Sequence, residues 1–282
     1  MMSVYRLKSA EAVASERAES KGAGSGTDAM RRELRGTADS VVKLRNVSVQ
    51  YGSSRVLDNV SLDCAPSEFL VLIGQSGCGK TTILNLLAGL LTPSAGQISV
   101  LGETSIKARQ RMAYMFARDA LMPWRTAQRN VEYGLYVHGV PRAERSARAR
   151  DMLERVGLGV CASMYPWQLS QGMRQRVALA RTWALEPQLL LMDEPFAALD
   201  AQTKVKMRAE FAQMWERSRP SVVFVTHDLT EALLLADRIM VVKAGRIESE
   251  TIVQFDRPRK LEDLVDDVEF RKMERELRSR LE

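Results

Sequence analysis

The chain has 282 residues, 45% of them hydrophobic and 27% charged, with a formal net charge of +6. That length and apolar content are enough to bury a good core and suit one large domain or two closely joined lobes. Three widely spaced cysteines, Cys64, Cys78 and Cys161, exclude a disulfide framework and a paired zinc motif, and a reducing cytoplasm is the expected compartment.

Residues 1–40 are rich in Ala, Ser, Gly, Glu and Arg and read as a disordered tail that adds little to a core. They contain no signal-peptide pattern. Further along, apolar runs such as ILNLLAGLL fall short of the ~20 residues that a bilayer requires, so no transmembrane span is expected. Alternation in VVKLRNVSVQY predicts a strand, and RVLDNVSLDCAPSEFLVLIG continues with strands that end buried. A helix is predicted from Lys80 to about Leu91, followed by short strands at GQISVLG and RMAYMF. The segment from Leu121 to about Gln168 differs in character: TAQRNVEYGLYVHGV and RAERSARARDMLERVGL have helical spacing and no strand pattern, which predicts a helical insertion in an α/β core. QLLLMDEP and SVVFVTHD then read as buried strands, AQTKVKMRAEFAQMWERS and LTEALLLAD as helices, and RIMVVKAGRIESE as a hairpin. The tail FRKMERELRSRLE predicts a charged helix packed through Met273, Leu277 and Leu281.

Four motifs carry chemistry. GQSGCGKTT, Gly74 to Thr82, matches G-x-x-x-x-G-K-[ST] between a strand and a helix. Gly74, Gly77 and Gly79 let the backbone wrap phosphates, and amides at the helix start donate to them. Gln75, Ser76, Cys78 and Thr82 complete the candidate loop. Lys80 would reach the β- and γ-phosphates, and the Thr81 hydroxyl would ligate Mg²⁺. In LLLMDEP a buried strand ends on two acids. Asp193 would hold Mg²⁺, and Glu194 would take a proton from an attacking water. VFVTHD ends on His227, placed to hydrogen-bond a γ-phosphate and the water. His138, in YVHGV, reads as a histidine without a site role. In LSQGMRQRVALART, Ser170 is a good N-cap and Gly172 allows close backbone approach, so this helix start is a second anion site.

Taken together and in this order, the motifs resemble those of the ATP-binding subunits of ABC transporters. GQSGCGKT resembles the family's Walker A, LLLMDE its Walker B, LSQGM its signature, FAALD its D-loop with Asp200, and His227 its switch histidine. Tyr51 falls where the family places an aromatic that stacks on adenine. The stretches LMPWRT, LSQGMRQR and DEPFAALDAQTK look most like importers of the nitrate, sulfonate and taurine type. The resemblance implies a P-loop α/β ATPase domain over residues 41–255. Its core sheet would be mainly parallel, with an antiparallel β subdomain and an inserted α-helical subdomain at about 119–168. Residues 256–282 would form a C-terminal helical extension. It further implies ATP and Mg²⁺, a head-to-tail dimer with a second copy, and an integral-membrane permease. A periplasmic or lipid-anchored substrate-binding protein would be an indirect partner, and no nucleic acid is expected. The place implied is cytoplasmic, peripheral on the inner face of the membrane.

Two positions depart from the family. Ala117 stands where the Q-loop has glutamine, with Arg118, Asp119 or a water as the expected substitutes, and Gln171 replaces the first signature glycine. A soluble ATPase of the same superfamily, acting in DNA repair or translation, is the alternative. Such proteins usually carry two ATPase units, a long coiled coil or a zinc module, and none is visible here. A P-loop kinase or GTPase would leave LSQGM without a role.

Overall fold

The computed structural model describes residues 40–281, so the tail expectation for 1–40 falls, but for Ser40, outside the described residues. In chain order the elements begin with β1 (Val42–Tyr51), β2 (Ser54–Cys64), β3 (Phe69–Ile73), α1 (Lys80–Leu87), β4 (Ala95–Val100), α2 (Ser105–Ala108) and β5 (Met112–Met115). Three helices follow, α3 (Ala127–Val137), α4 (Arg142–Arg155) and α5 (Gln171–Trp183). Then come β6 (Leu189–Asp193), α6 (Ala201–Ser218), β7 (Ser221–Thr226), α7 (Leu229–Leu235), β8 (Arg238–Lys243) and β9 (Arg246–Ile252). The chain closes on α8 (Leu261–Leu264) and α9 (Val268–Leu281).

A six-stranded sheet has the order β5-β6-β7-β3-β8-β9, and a three-stranded sheet the order β2-β1-β4. In the large sheet all neighbours are parallel except the β8–β9 hairpin, and the small sheet is antiparallel. The α/β class with a mainly parallel core and an antiparallel β layer is therefore as expected. The large sheet explains why its strands read as unbroken apolar runs. Parallel strands covered on both faces must be apolar at every position. Phe69, Val71 and Ile73 of β3 enter one core with α3 to α7, whereas Leu70 and Leu72 enter a second core with the small sheet and α1. The same alternation divides Leu190 and Met192 from Leu189 and Leu191 on β6. In the first core Phe69 meets Phe211 and Trp215 edge to face, at centroid distances of 5.9 and 5.4 Å.

The structure shifts several predicted boundaries. Helix α1 stops at Leu87, not Leu91, because Gly89 takes a left-handed φ of 66° and Leu90 N donates back to the Asn85 carbonyl. The first helix of the insertion runs from Ala127, as the stretch starting at Thr126 predicts. The Thr126 hydroxyl caps α3 by accepting from Arg129 N at 3.3 Å. The preceding loop is held by Asn130, fully buried, which accepts from Met122 N and donates to the Met122, Arg125 and Thr126 carbonyls. Helices α2 and α8, of four residues each, are too short for periodicity to reveal. Helix α9 packs as expected through Leu277, Met273 and Leu281, and also through Phe270, which is buried.

Candidate active site

Strands β6, β7 and β3 are adjacent and level: Ile73 pairs with Thr226, and Asp193 with Val225. In open parallel sheets the ligand crevice lies beyond the carboxyl ends of the strands. This register therefore gathers the loop after β3, the acids ending β6 and the histidine after β7 at one edge.

The loop from Gly74 to Gly79 turns on Gly77 and Gly79, with φ of 79° and 107°. Gly74 is needed for a different reason. A Cβ there would lie 2.2 Å from the Val242 carbonyl oxygen and 2.7 Å from Cys78 Sγ. Backbone on β8 cannot yield cheaply, so Gly74→Ala is expected to cost about 1–3 kcal/mol of stability. Thermal unfolding of the two proteins checks it, with an unchanged midpoint as the contrary result. Gln75, Ser76 and Gly77 are exposed, Cys78 and Thr82 are half-buried, and Lys80 is buried. The Lys80 ammonium donates to the Gly74 and Gln75 carbonyls at 2.7 and 2.9 Å. An ammonium has three donors, and the third faces the weak acceptor Cys78 Sγ. Cys78 Sγ lies 3.8 Å from Lys80 Nζ, and the residue lines a cavity shared with β8 and α9.

Thr81 Oγ1 donates to Asp193 Oδ1 at 3.0 Å, so the two candidate metal ligands touch. A hydroxyl and a carboxylate are hard oxygen donors of the kind Mg²⁺ takes, with phosphate oxygens and water completing its shell. The donor set therefore fits Mg²⁺. Burial raises the Asp193 pKa above the usual carboxylate range, the Thr81 bond opposes this, and the Glu194 charge adds to it.

Glu194 is half-buried with φ 44°, a left-handed conformation that a non-glycine residue adopts at a cost of about 1–3 kcal/mol. Its amide donates to the Val225 carbonyl at 2.9 Å, and its Oε2 lies 3.0 Å from His227 Nδ1. A carboxylate held this way on an exposed histidine suits proton transfer with a water in the crevice. The base of this arrangement is fixed from below. Thr226 Oγ1 donates to Glu231 Oε2 at 2.6 Å and accepts from Asp228 N at 3.0 Å. Asp228 in turn caps α7.

Glu231 is 2% exposed, and its Oε1 lacks a hydrogen bond. Burial raises its pKa above the ordinary 4.5, partly opposed by the Thr226 bond. Above pH 4.5 the unfolded chain has lost this proton while the folded chain still holds it, so stability falls as pH rises through the folded pKa. Glu231→Gln removes that slope. It is expected to be more stable than the parent at pH 8 and no more stable at pH 4, as read by urea unfolding at both.

Three of the remaining candidates, Ser170, Gly172 and Asp200, sit at two abutting helix starts. The Ser170 hydroxyl caps α5 by accepting from Met173 N at 3.3 Å, and Asp200 caps α6 by accepting from Thr203 N at 3.0 Å. The Thr203 hydrogen bonds hold the Asp200 carboxyl below its usual range. A Cβ on Gly172 would lie 2.9 Å from Thr203 Cγ2, so the signature glycine faces the start of α6 within one chain. Tyr51 is 55% exposed at the end of β1. Among the described residues, none of these four makes a hydrogen bond to the cluster of Lys80, Thr81, Asp193, Glu194 and His227.

The loop after β5 corrects one expectation. Asp119 is not free to stand in for a glutamine at Ala117, because its carboxylate receives Arg174 Nε at 3.0 Å and Leu121 N at 3.2 Å. Arg181 donates to the Ala120 and Asp119 carbonyls at 2.7 and 2.9 Å, so two arginines of α5 hold this loop. Sequence reasoning also missed Gln175 and Tyr114. Gln175, 3% exposed, ties α5 to the Pro195 carbonyl beside Glu194. Tyr114 shares a strand face with Leu191 and Asp193, and its hydroxyl lies 3.4 Å from Asn85 Oδ1. Burial raises its pKa first, and the charge and hydrogen bond of Asp193 raise it further. A polar residue at a core position of a periodic segment was the available signal for both.

The family profile described as ABC transporter matches residues 57–197. An aliphatic sulfonates import ATP-binding protein of Burkholderia ambifaria is 46% identical over 218 residues, spanning 77% of this chain and 66% of that one. An uncharacterised ABC transporter ATP-binding protein of Methanocaldococcus jannaschii is 42% identical over 224 residues, spanning 77% and 84%. Among solved structures, an ATP-binding cassette in a dimeric post-hydrolysis state bound to ADP and Pi is 33% identical. It superposes with a TM-score of 0.67, over 76% of this chain and all of that one.

Proposed function

As this chain belongs to the ABC transporter family and is an ATP-binding ATPase subunit of it, we propose that it powers import of a small anionic solute, such as nitrate, a sulfonate or taurine, through a separate permease. The observation that carries the hydrolytic part is the contact of Glu194 with His227 at 3.0 Å, one residue beyond the Thr81–Asp193 pair. The importer part rests on sulfonate-import relatives at 44–46% identity.

In this reading the phosphate loop amides and Lys80 hold the β- and γ-phosphates, and Tyr51 stacks on adenine. Thr81 and Asp193 would hold Mg²⁺, which when bound neutralises phosphate charge. Glu194 accepts the proton of the attacking water, and His227 fixes the carboxylate and the γ-phosphate. Ser170 and Gly172 at the start of α5 would complete the site of a second copy, with Asp200 beside them. The abutment of α5 and α6 supports this, and so does the dimer formed by the related cassette. Residues 119–168 would receive the permease from the cytoplasmic face, and residues 256–282 form an extension. A substrate-binding protein outside the membrane would act only through the permease.

The test is gentle solubilisation of membranes from the native host and mass identification of what a tagged chain retains. Co-purification of an integral permease is the expected result. Recovery only in the soluble fraction, on ribosomes or nucleic acid, would overturn the importer reading in favour of an ATPase of DNA repair or translation.

A further inference from the structure

One face of α6 leaves a buried charge unanswered. Val205, Arg208, Ala209 and Ala212 recur at the three- and four-residue spacing that puts side chains on one side of a helix. With Leu234 and Leu235 of α7 and residues of the 259–265 segment they line a cavity of about 450 Å³. A concave, mostly apolar wall with a few polar groups is what small-molecule sites share. Val205, Leu261 and Val265 are exposed although they line it, so a chain laid along them would cover apolar surface.

Arg208 supplies the polar group. It is 8% exposed, yet among the described residues its guanidinium makes no hydrogen bond and no ion pair. The two carboxylates that feel its charge are Asp228 and Glu231, and both are committed elsewhere. Asp228 Oδ1 accepts the Thr230 and Glu231 amides, and its Oδ2 lies 3.5 Å from Lys204 Nζ. Glu231 Oε2 accepts from Thr226 Oγ1, and its Oε1 lies 3.9 Å from the same Lys204 Nζ. Arg259, the second cation in the wall, gives its donors to the Leu233, Phe255 and Ala236 carbonyls. Lys260 and Glu262 at the rim are both exposed and of opposite sign. The planar fork of Arg208 thus keeps its N–H donors for an acceptor from outside. A carboxylate matches that fork with two parallel bonds, and the low-dielectric wall strengthens them.

We propose that this cavity binds a small aliphatic carboxylate, with its head on Arg208 and its chain along Val205, Ala209, Leu261 and Val265. The cavity shares no lining residue with the phosphate loop, so the proposal stands apart from the nucleotide reading.

The experiment is a calorimetric titration of octanoate into the full chain, Arg208→Met and Leu261→Asp, with acetate and octan-1-ol as the head and the chain alone. Octanoate is expected to bind the unmodified chain with a Kd of about 1 mM or tighter, in keeping with its size. Arg208→Met keeps an apolar stem and removes the charge, and is expected to weaken binding by about tenfold or more. Leu261→Asp alters an exposed wall residue in the first turn of α8, where an acid suits the helix, so this variant keeps the fold even if Arg208→Met does not. It removes apolar wall and sets a like charge beside the ligand, for an expected weakening of about fivefold or more. Acetate and octan-1-ol are each expected to bind at least about tenfold more weakly than octanoate. Absence of octanoate binding, binding by Arg208→Met or Leu261→Asp equal to the unmodified chain, or octan-1-ol or acetate binding as tightly as octanoate would each overturn the proposal.

Discussion

Glu194→Gln is expected to lower the rate of ATP hydrolysis by about 10²–10⁴, the usual contribution of a positioned general base. The amide keeps the size and the hydrogen-bonding oxygen of the carboxylate but cannot take a proton from water. In the proposed reading binding would rest on the loop amides, Lys80 and the Thr81–Asp193 pair, so nucleotide affinity is expected to change little. Bound ATP then persists, and any dimer that requires intact ATP accumulates. Steady-state phosphate release and size-exclusion chromatography with MgATP check both halves. Retention of a tenth or more of the parent rate would mean that Glu194 is not the base. His227→Ala should fall in the same direction, because it removes the 3.0 Å partner of that carboxylate.

Glu68→Ala is expected to be the most destabilising single change far from the site. Arg238 at the start of β8 is 1% exposed. Burial by itself would push its pKa down, but the Glu68 hydrogen bonds and the Glu250 and Asp63 charges raise it instead. Glu68 receives Arg238 Nε at 2.7 Å and Nη2 at 3.1 Å, and also the Ala65 amide at 2.6 Å. Removing the carboxylate leaves a buried guanidinium without its main partner, a loss of about 3–5 kcal/mol. At about 2–4 °C per kcal/mol for a domain of this size, Tm falls by roughly 6–20 °C. Removing both charges should cost less than removing one, so Glu68→Ala with Arg238→Met is expected to recover part of the loss. A drop below 2 °C in the single variant would show that Asp63 and Glu250 suffice to hold Arg238.

Much of this was legible in the residues because the signals are local. The phosphate loop is a contiguous string whose glycines and lysine have one shared use. The apolar runs FLVLI, LLLMD and SVVFVT read as buried strands because a sheet covered on both faces tolerates no polar alternation. The cap at Ser170 is a side chain meeting an amide three residues on. These features depend on neighbours in sequence, and so composition and spacing reveal them.

What the tertiary structure decided depends on pairs far apart. The level register of β3, β7 and β6 places Thr81 against Asp193 across 112 residues and Glu194 against His227 across 33. Asp119 looked available to replace a missing glutamine, and it is instead committed to Arg174, 55 residues away. Gln175 and Arg238 become buried ties only through packing against distant residues. The tip of α9 could not be placed on Gln75, whose Nε2 donates to the Leu281 carbonyl at 2.9 Å, by any pattern, since nothing local links residues 75 and 281. Amino-acid sequence alone determined the class of ATPase, because its motifs are signals that follow from backbone geometry over a few residues. Only the packed sheet decided which of those residues meet, because side-chain contacts over long separations are settled by register and burial.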